Sequence, residues 1–285
     1  MSKLTIAVQK SGRLSEQSLS LFQECGIDIA NSNRKLKASA TNFPLEILFL
    51  RDDDIPQYVE QGVADAGILG ENEIWEQQKE IRTVRRLGFA SCRMSLAIPK
   101  DEAYENLGFF EGKKIATSYP GILRRFFEKE NIPVTIEPIG GSVEIAPGIG
   151  LAEGIFDIVS TGSTLQMNGL KEVAVVARSQ AALVSNTNLS APKQALLDAL
   201  CFRLEAVRAA RCNKYILLNA PNAAIADITA ILPGMKAPTV LPLALEGWSS
   251  LHSVVPEDAF WDIIDRLKEA GAEGILVVPI EKMIL

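Results

Sequence analysis

Ser160-Thr161-Gly162-Ser163-Thr164 places four hydroxyls and a glycine in five consecutive residues, directly after an apolar run of Ile155, Phe156, Ile158 and Val159 that only Asp157 interrupts. The composition suits an anion: Gly162 lets backbone approach a ligand without a Cβ, successive N–H groups form a concavity, and the hydroxyls add neutral donors. A helix beginning near Thr164 would add its N-terminal dipole. By capping chemistry alone, the same residues also read as a buried strand followed by a Ser/Thr helix cap. A second candidate is Lys10-Ser11-Gly12-Arg13, a glycine turn with a cation on each side, placed where a strand meets a helix. Ligands of open α/β sheets bind at such edges, although a solvated charged turn has the same composition. His252 is the only histidine and falls in what reads as a separate domain, which argues against a Ser/His or Cys/His triad.

The elements that must position these residues follow from pattern. Leu4–Val8 reads as a strand and Ser15 as the cap of the helix after it. Leu45–Leu50 is a second strand, followed by Arg51-Asp52-Asp53-Asp54, whose three acids fit a helix start better than a metal site, with Asp53 as cap and Pro56 in the first turn. Gly62, Asp65 and Gly70 repeat the spacing of Gly154, Asp157 and Gly162, which suggests two α/β lobes of similar design around a cleft. Thr83–Leu87 and Cys92–Ile98 are strand-like, and Pro99-Lys100-Asp101 reads as the crossover to the second lobe. There Lys114–Thr117, the helix opened by Ser118-Tyr119-Pro120-Gly121, and Val134–Glu137 precede Gly140-Gly141-Ser142-Val143-Glu144, another glycine-rich helix entrance. Val173–Ala177 and Ala181–Ser185 read as strands returning to the first lobe. A helix over 192–212 carries Leu196, Leu200, Leu204 and Val207 on one face, and the rest follows the ferredoxin-like βαββαβ order. The expected domains are lobe I (1–97 and 178–213), lobe II (98–177) and a C-terminal domain (214–285).

The chain has 285 residues, enough for two or three domains with ample cores. Hydrophobic residues make up 47% and charged residues 22%, an ordinary soluble balance. A net charge of −6 argues against nucleic-acid binding by charge alone, so an anionic ligand must meet a local cluster or a bound cation. Cys25, Cys92, Cys201 and Cys212 are isolated and read as reduced thiols. No export leader and no membrane-length apolar run is visible, so the expectation is a cytoplasmic protein.

The order Asp157, Val159, Thr161, Gly162, Thr164 resembles the pyrophosphate-and-ribose loop of phosphoribosyltransferases. Ile158 stands where the common type has a second acid, leaving one carboxylate for ribose hydroxyls. More of the chain resembles the long form of the ATP phosphoribosyltransferase family, which opens histidine biosynthesis. The carriers are KSGRL (10–14), RDDDIP (51–56), GILGEN (67–72), RRLGFASCRMSLAIP (85–99), IATSYP (115–120), GSVEIAP (141–147), FDIVSTGSTL (156–165), NGL (168–170) and ILVVPIEKM (275–283).

That resemblance implies an α/β protein with two periplasmic-binding-protein-like lobes and an ACT-like C-terminal domain. It implies transfer of 5-phosphoribosyl from phosphoribosyl pyrophosphate to N1 of ATP, a dimer–hexamer equilibrium and inhibition by L-histidine. The transfer passes through an oxocarbenium-like state, so positioning and charge stabilisation suffice without a covalent nucleophile. Asp157 is then expected to hold ribose hydroxyls and favour positive charge at the anomeric carbon, Ser160–Thr164 to cradle the 5-phosphate, and Mg²⁺ to be held mainly by pyrophosphate. Lys10 and Arg13, with Gly12, would clamp a second polyphosphate. Glu71 and Glu144 are candidates for ribose, metal or adenine; Arg51, Arg93 and Tyr119 are looser substrate-binding candidates. Leu232, Gly234, Ala270 and Gly274 are candidate histidine contacts. The alternative from another class is a two-lobed ligand-binding or sensor protein without chemistry.

Overall fold

The computed structural model describes residues 2–30, 36–232, 234 and 237–284. The chain divides into two compact units, one running through Phe22 and then Ile27–Leu196, the other joining Gln23–Gly26 to the chain from Leu197 onward.

The first unit holds two sheets. One is assembled from β1 (Leu4–Gln9), α1 (Arg13–Glu24), β2 (Lys37–Ser39), β3 (Leu45–Leu50), α2 (Ile55–Glu60), β4 (Ala66–Gly70), α3 (Glu71–Gln77) and β5 (Ile81–Arg86). The other takes β6 (Cys92–Pro99), β7 (Lys114–Thr117), α4 (Pro120–Glu130), β8 (Thr135–Pro138), β9 (Gly154–Val159), α5 (Ser163–Met167) and β10 (Leu170–Ser179). The chain then returns to the first sheet as β11 (Ala181–Asn186). The first sheet runs β2-β3-β1-β4-β11-β5 and the second β10-β6-β9-β7-β8. In the first, β1 is parallel to both β3 and β4; in the second, β7 is parallel to both β8 and β9. Leu4, Ile6, Ala7 and Val8 of β1 are fully buried, as expected of a parallel strand covered on both faces.

Two α/β lobes are therefore present, with several differences from the sequence expectation. The passage between them falls at 87–91, not at 97/98, because β6 pairs with β9 and β10. Likewise Val173–Ala177 belongs to β10 and stays in the second sheet; only β11 returns. The equal spacing of Gly62, Asp65 and Gly70 with Gly154, Asp157 and Gly162 does not reflect equal positions. Asp65 precedes its strand, accepts the Thr5 N–H at 2.8 Å and binds Lys193 at 2.7 Å, whereas Asp157 lies within β9. The helix α1 starts at Arg13, so Ser15 is a buried first-turn residue and not a cap. Asp53 does not cap either: it pairs with Arg51, while Asp54 precedes α2 and Pro56 occupies its first turn. Gly140–Glu144 opens only a three-residue 3-10 turn, Val143–Ile145.

The second unit contains most of α6 (Ala191–Arg211), then β12 (Asn213–Pro221), α7 (Ile225–Ile231), β13 (Thr239–Pro242), β14 (Trp248–Pro256), α8 (Glu257–Glu269) and β15 (Glu273–Pro279). Assignment of that helix to lobe I fails beyond Leu196, since Arg211 pairs with Glu24 and Arg203 donates to the Cys25 carbonyl, both within the second unit. The antiparallel sheet β13-β14-β12-β15 has the expected βαββαβ order. Alternate residues Ile216, Leu218 and Ala220 of β12 turn inward with Leu251, Ile228, Ile263 and Leu267, the pattern of a sheet covered by helices on one face.

Close packing of α2 on the first sheet depends on Gly67. A Cβ there would lie 2.6 Å from Ile55 Cγ2 and 3.1 Å from Val59 Cγ2. Gly67→Ala is expected to destabilise the first unit by about 1–3 kcal/mol through overpacking, seen as a lower denaturation midpoint with an unchanged slope.

Candidate active site

Parallel pairing brings the chain's chemistry to two edges. In the first sheet β1, β3 and β4 run the same way, so their C-terminal ends deliver Lys10, Arg51-Asp52 and Glu71 to one side. In the second, β7, β8 and β9 deliver Ser118-Tyr119, the segment leading to Glu144, and Ser160 to another. Ligands of open α/β sheets bind outside such carboxyl ends.

At the first edge, Gly12 has φ +91°, a turn conformation that glycine adopts without strain, and the cations on either side are exposed. Lys10 and Arg13 have no salt-bridge partner among the described residues. Arg51 is engaged locally by Asp53 through two contacts of 3.2 Å. Glu71 is buried and takes Arg86 Nε at 2.7 Å, so its charge is met within the fold. Two residues later stands an acid that sequence reasoning passed over. Glu73 is buried, and its carboxyl is pushed up to about 7, first by burial and then by the negative charge of Asp52.

At the second edge, Val159 leads into Ser160–Thr164, where Gly162 has φ +84°. Thr161 and Ser163 hydroxyls lie 3.0 Å apart, and the Ser163 N–H lies 3.4 Å from Thr161 Oγ1. The helix α5 has only five residues, so backbone and hydroxyl groups rather than a long dipole define this loop. Asp157 accepts the Ile158 N–H at 2.8 Å. Its carboxyl is nonetheless pushed up to about 6, mainly by burial, with the charge of Glu144 adding to the effect. Arg93 is held on more than one side. Its guanidinium grips Glu172 and the Ser160 carbonyl.

The two edges meet at Tyr119, whose hydroxyl lies 3.3 Å from Asn72 Nδ2; that amide also donates to Glu73 Oε1 at 3.0 Å. Burial raises the Tyr119 hydroxyl well above the ordinary phenol range, and the carboxylates of Glu73, Asp157 and Asp52 raise it further. Tyr119 therefore stays a neutral donor between acids supplied by both lobes. No spacing rule joins Glu73 to Asp157 across more than eighty positions, whereas the GILGEN run did point to the right turn.

The candidate residues of the second unit divide differently. Leu232 is buried in the core of the second unit, and Ala270 follows the last turn of α8 against the same core. Gly274 has φ +57° at an irregularity in the β12–β15 register, beside Asn219. Gly234 donates its N–H to the Leu232 carbonyl at 2.8 Å; residues 233, 235 and 236 of that candidate segment lie outside the described residues.

Fold and site together define a two-lobed α/β protein in which a hydroxyl-rich loop, a buried acid and a neutral phenol come together, with no histidine in the first unit. Comparison with known proteins narrows the class. Residues 51–206 match the family described as HisG: ATP phosphoribosyltransferase, and residues 210–282 match the HisG C-terminal domain. An ATP phosphoribosyltransferase of Phocaeicola vulgatus is 58% identical over 282 residues, covering 99% of this chain and 100% of the relative. One from Cytophaga hutchinsonii is 58% identical over 281 residues, covering 99% and 98%. The ATP phosphoribosyl transferase (HisG:HisZ) complex of Thermotoga maritima superposes with a TM-score of 0.62 at 27% identity, covering 71% of this chain and 96% of that one. The alkanesulfonate-binding protein SsuA of Xanthomonas axonopodis, at 15% identity and TM-score 0.50, shares the fold alone, covering 74% and 73%. The chain belongs to the ATP phosphoribosyltransferase family.

Glu73 gives the site a titration signature. Because its folded pKa of about 7 lies above the ordinary 4.5, the stability it contributes is complete below about 4.5 and is lost as pH rises through about 7. Glu73→Gln removes that loss and keeps an acceptor for Asn72. Thermal unfolding should show it more stable than the parent by about 1–3 kcal/mol near pH 8, with the gap closing near pH 4.

Proposed function

We propose that the chain transfers 5-phosphoribosyl from phosphoribosyl pyrophosphate to N1 of ATP, releasing pyrophosphate, the first step of histidine biosynthesis. The observation that carries this reading is the Ser160–Thr164 loop following Asp157 at the carboxyl edge of the second sheet, in a chain that matches the family nearly end to end.

The chain's own residues act by position and charge. The backbone and hydroxyls of Ser160, Thr161, Gly162, Ser163 and Thr164 receive the 5-phosphate, and Asp157 accepts from ribose hydroxyls. An acid already destabilised by burial and by Glu144 is relieved by positive charge nearby, which suits an oxocarbenium-like centre. Lys10 and Arg13, exposed on either side of the Gly12 turn, meet the polyphosphate of ATP, and neutral Tyr119 donates from between the lobes. No cluster of three or more acid, histidine or cysteine ligands occurs among the described residues. Asp157 and Glu144 fit the one or two carboxylates that Mg²⁺ takes beside substrate phosphates, where it would neutralise the leaving pyrophosphate.

Regulation and assembly belong to the same proposal. The lobes are lobe I with β11, lobe II, and residues 214–285 as an ACT-like unit binding L-histidine, in a cytoplasmic homo-oligomer that passes between dimer and hexamer. No helix among the described residues is long and apolar enough to cross a membrane. The match to the HisG C-terminal domain supports an enzyme regulated by its own last domain.

An absorbance assay for the phosphoribosyl-ATP adduct, with both substrates and Mg²⁺, tests the activity directly. Thr161→Ala or Thr164→Ala should lower kcat/KM for phosphoribosyl pyrophosphate about tenfold, since each removes a donor to a charged oxygen. Asp157→Asn should lower kcat more than it raises KM. Unchanged kinetics in all three variants would remove the loop from the site. Separately, L-histidine should raise the Tm of the full chain and inhibit it, with a coupling of about 1–3 kcal/mol; no shift at saturating histidine would refute the regulatory assignment.

A further inference from the structure

Sequence reasoning offers Arg93 as a cation for substrate, and the structure gives it a different surrounding. Nε and Nη2 bind the two oxygens of Glu172 at 2.5 and 2.6 Å, a forked pair that neutralises the guanidinium. Ser95, two residues along β6 and so on the same face, donates its hydroxyl to Glu172 Oε1 at 2.7 Å. Glu172 sits in β10 at the first of two register irregularities, a local device that re-aims side chains. The guanidinium's hydrogen bonds to Glu172 hold that carboxyl below its ordinary range, so the pair keeps both charges. Arg93 has one further nitrogen, Nη1, and it donates to the Ser160 carbonyl at 2.9 Å.

That last bond acts on the loop. In a planar trans peptide the C=O and the following N–H point in opposite directions. With the Ser160 oxygen drawn to Arg93, the Thr161 N–H must face the other way. Gly162 adds to the constraint through its φ of +84°, a backbone conformation that L side chains rarely adopt.

We propose that Arg93 is a positioning residue for the transfer: locked by Glu172 and Ser95, it fixes the Ser160–Thr161 peptide so that the loop presents its N–H groups to the 5-phosphate, and it touches no substrate itself. This rests on the reading of Ser160–Thr164 as the phosphate loop.

The two roles open to Arg93 give opposite signs in one variant. Glu172→Gln frees the guanidinium; a direct phosphate ligand would then bind as well or better, whereas a strut loses its anchor. Steady-state kinetics of the full chain should show Arg93→Lys and Glu172→Gln each raising KM for phosphoribosyl pyrophosphate about tenfold, with KM for ATP within about twofold. The double variant should be no worse than the worse single, because both cut one connection. Ser95→Ala should move KM in the same direction by less, which keeps the test available if Arg93→Lys does not fold. The proposal is overturned if Glu172→Gln leaves or lowers that KM, whatever Arg93→Lys does. Thr161→Ala run alongside separates the two readings: if it weakens phosphoribosyl pyrophosphate use while Glu172→Gln does not, only the strut is wrong; if neither matters, the loop assignment falls with it.

Discussion

The carboxylate of Glu76, near the end of α3, accepts the N–H groups of Gly121 and Ile122 in the first turn of α4, each at 2.8 Å. One lobe thereby caps a helix of the other, satisfying donors that a helix start leaves without intrahelical partners and placing negative charge at the positive end of its dipole. Arg125 of α4 donates to the Trp75 carbonyl beside it, and Gly121 permits the close approach, since a Cβ there would stand 3.0 Å from Glu76 Oε1 and 3.1 Å from the Glu76 carbonyl oxygen. Tyr119 immediately precedes this turn and Asn72 lies in the first turn of α3, so the hydrogen bond between them joins the same two helices as the Glu76 contacts. Both carboxyl edges are held together by it.

What they hold is an acid-rich site. Burial raises the cost of ionising Glu73 and Asp157, and the negative charges of Asp52 beside the first and Glu144 beside the second raise it further. Burying acids without cations destabilises a fold, whereas the transfer reaction brings positive charge at the anomeric carbon. The fold elsewhere pairs its buried and half-buried acids with cations: Asp65 with Lys193, Glu71 with Arg86, Glu172 with Arg93. Glu73 and Asp157, by contrast, have no such ion pair among the described residues.

Three of the side chains read as substrate contacts are engaged in ion pairs within the fold. Arg51, Glu71 and Arg93 each meet an opposite charge, and the partners of the last two are 15 and 79 positions away. Nothing at the sequence level marks such a pairing, because it depends on which strands become neighbours. Glu73, two residues further along α3, leaves the helix on nearly the opposite side from Glu71 and meets no such cation among the described residues.

By itself, the sequence determined the local units: the apolar run before STGST, the glycine turn at 12, Pro120 in the first turn of α4, and the βαββαβ order after residue 213. These depend on backbone freedom, hydrogen-bond capacity and period, properties that neighbours along the chain fix among themselves. It also identified the family, since many weak motifs in fixed order are together specific. Only the tertiary structure decided that β6 and β10 stay in the second sheet, that α6 leaves the first unit after Leu196, and that Asp65 and Asp157 differ in role despite equal spacing. The reason is physical: strand order, burial and ion pairing are set by contacts between residues far apart in sequence, and the free energy of a charge depends on which of those contacts it meets.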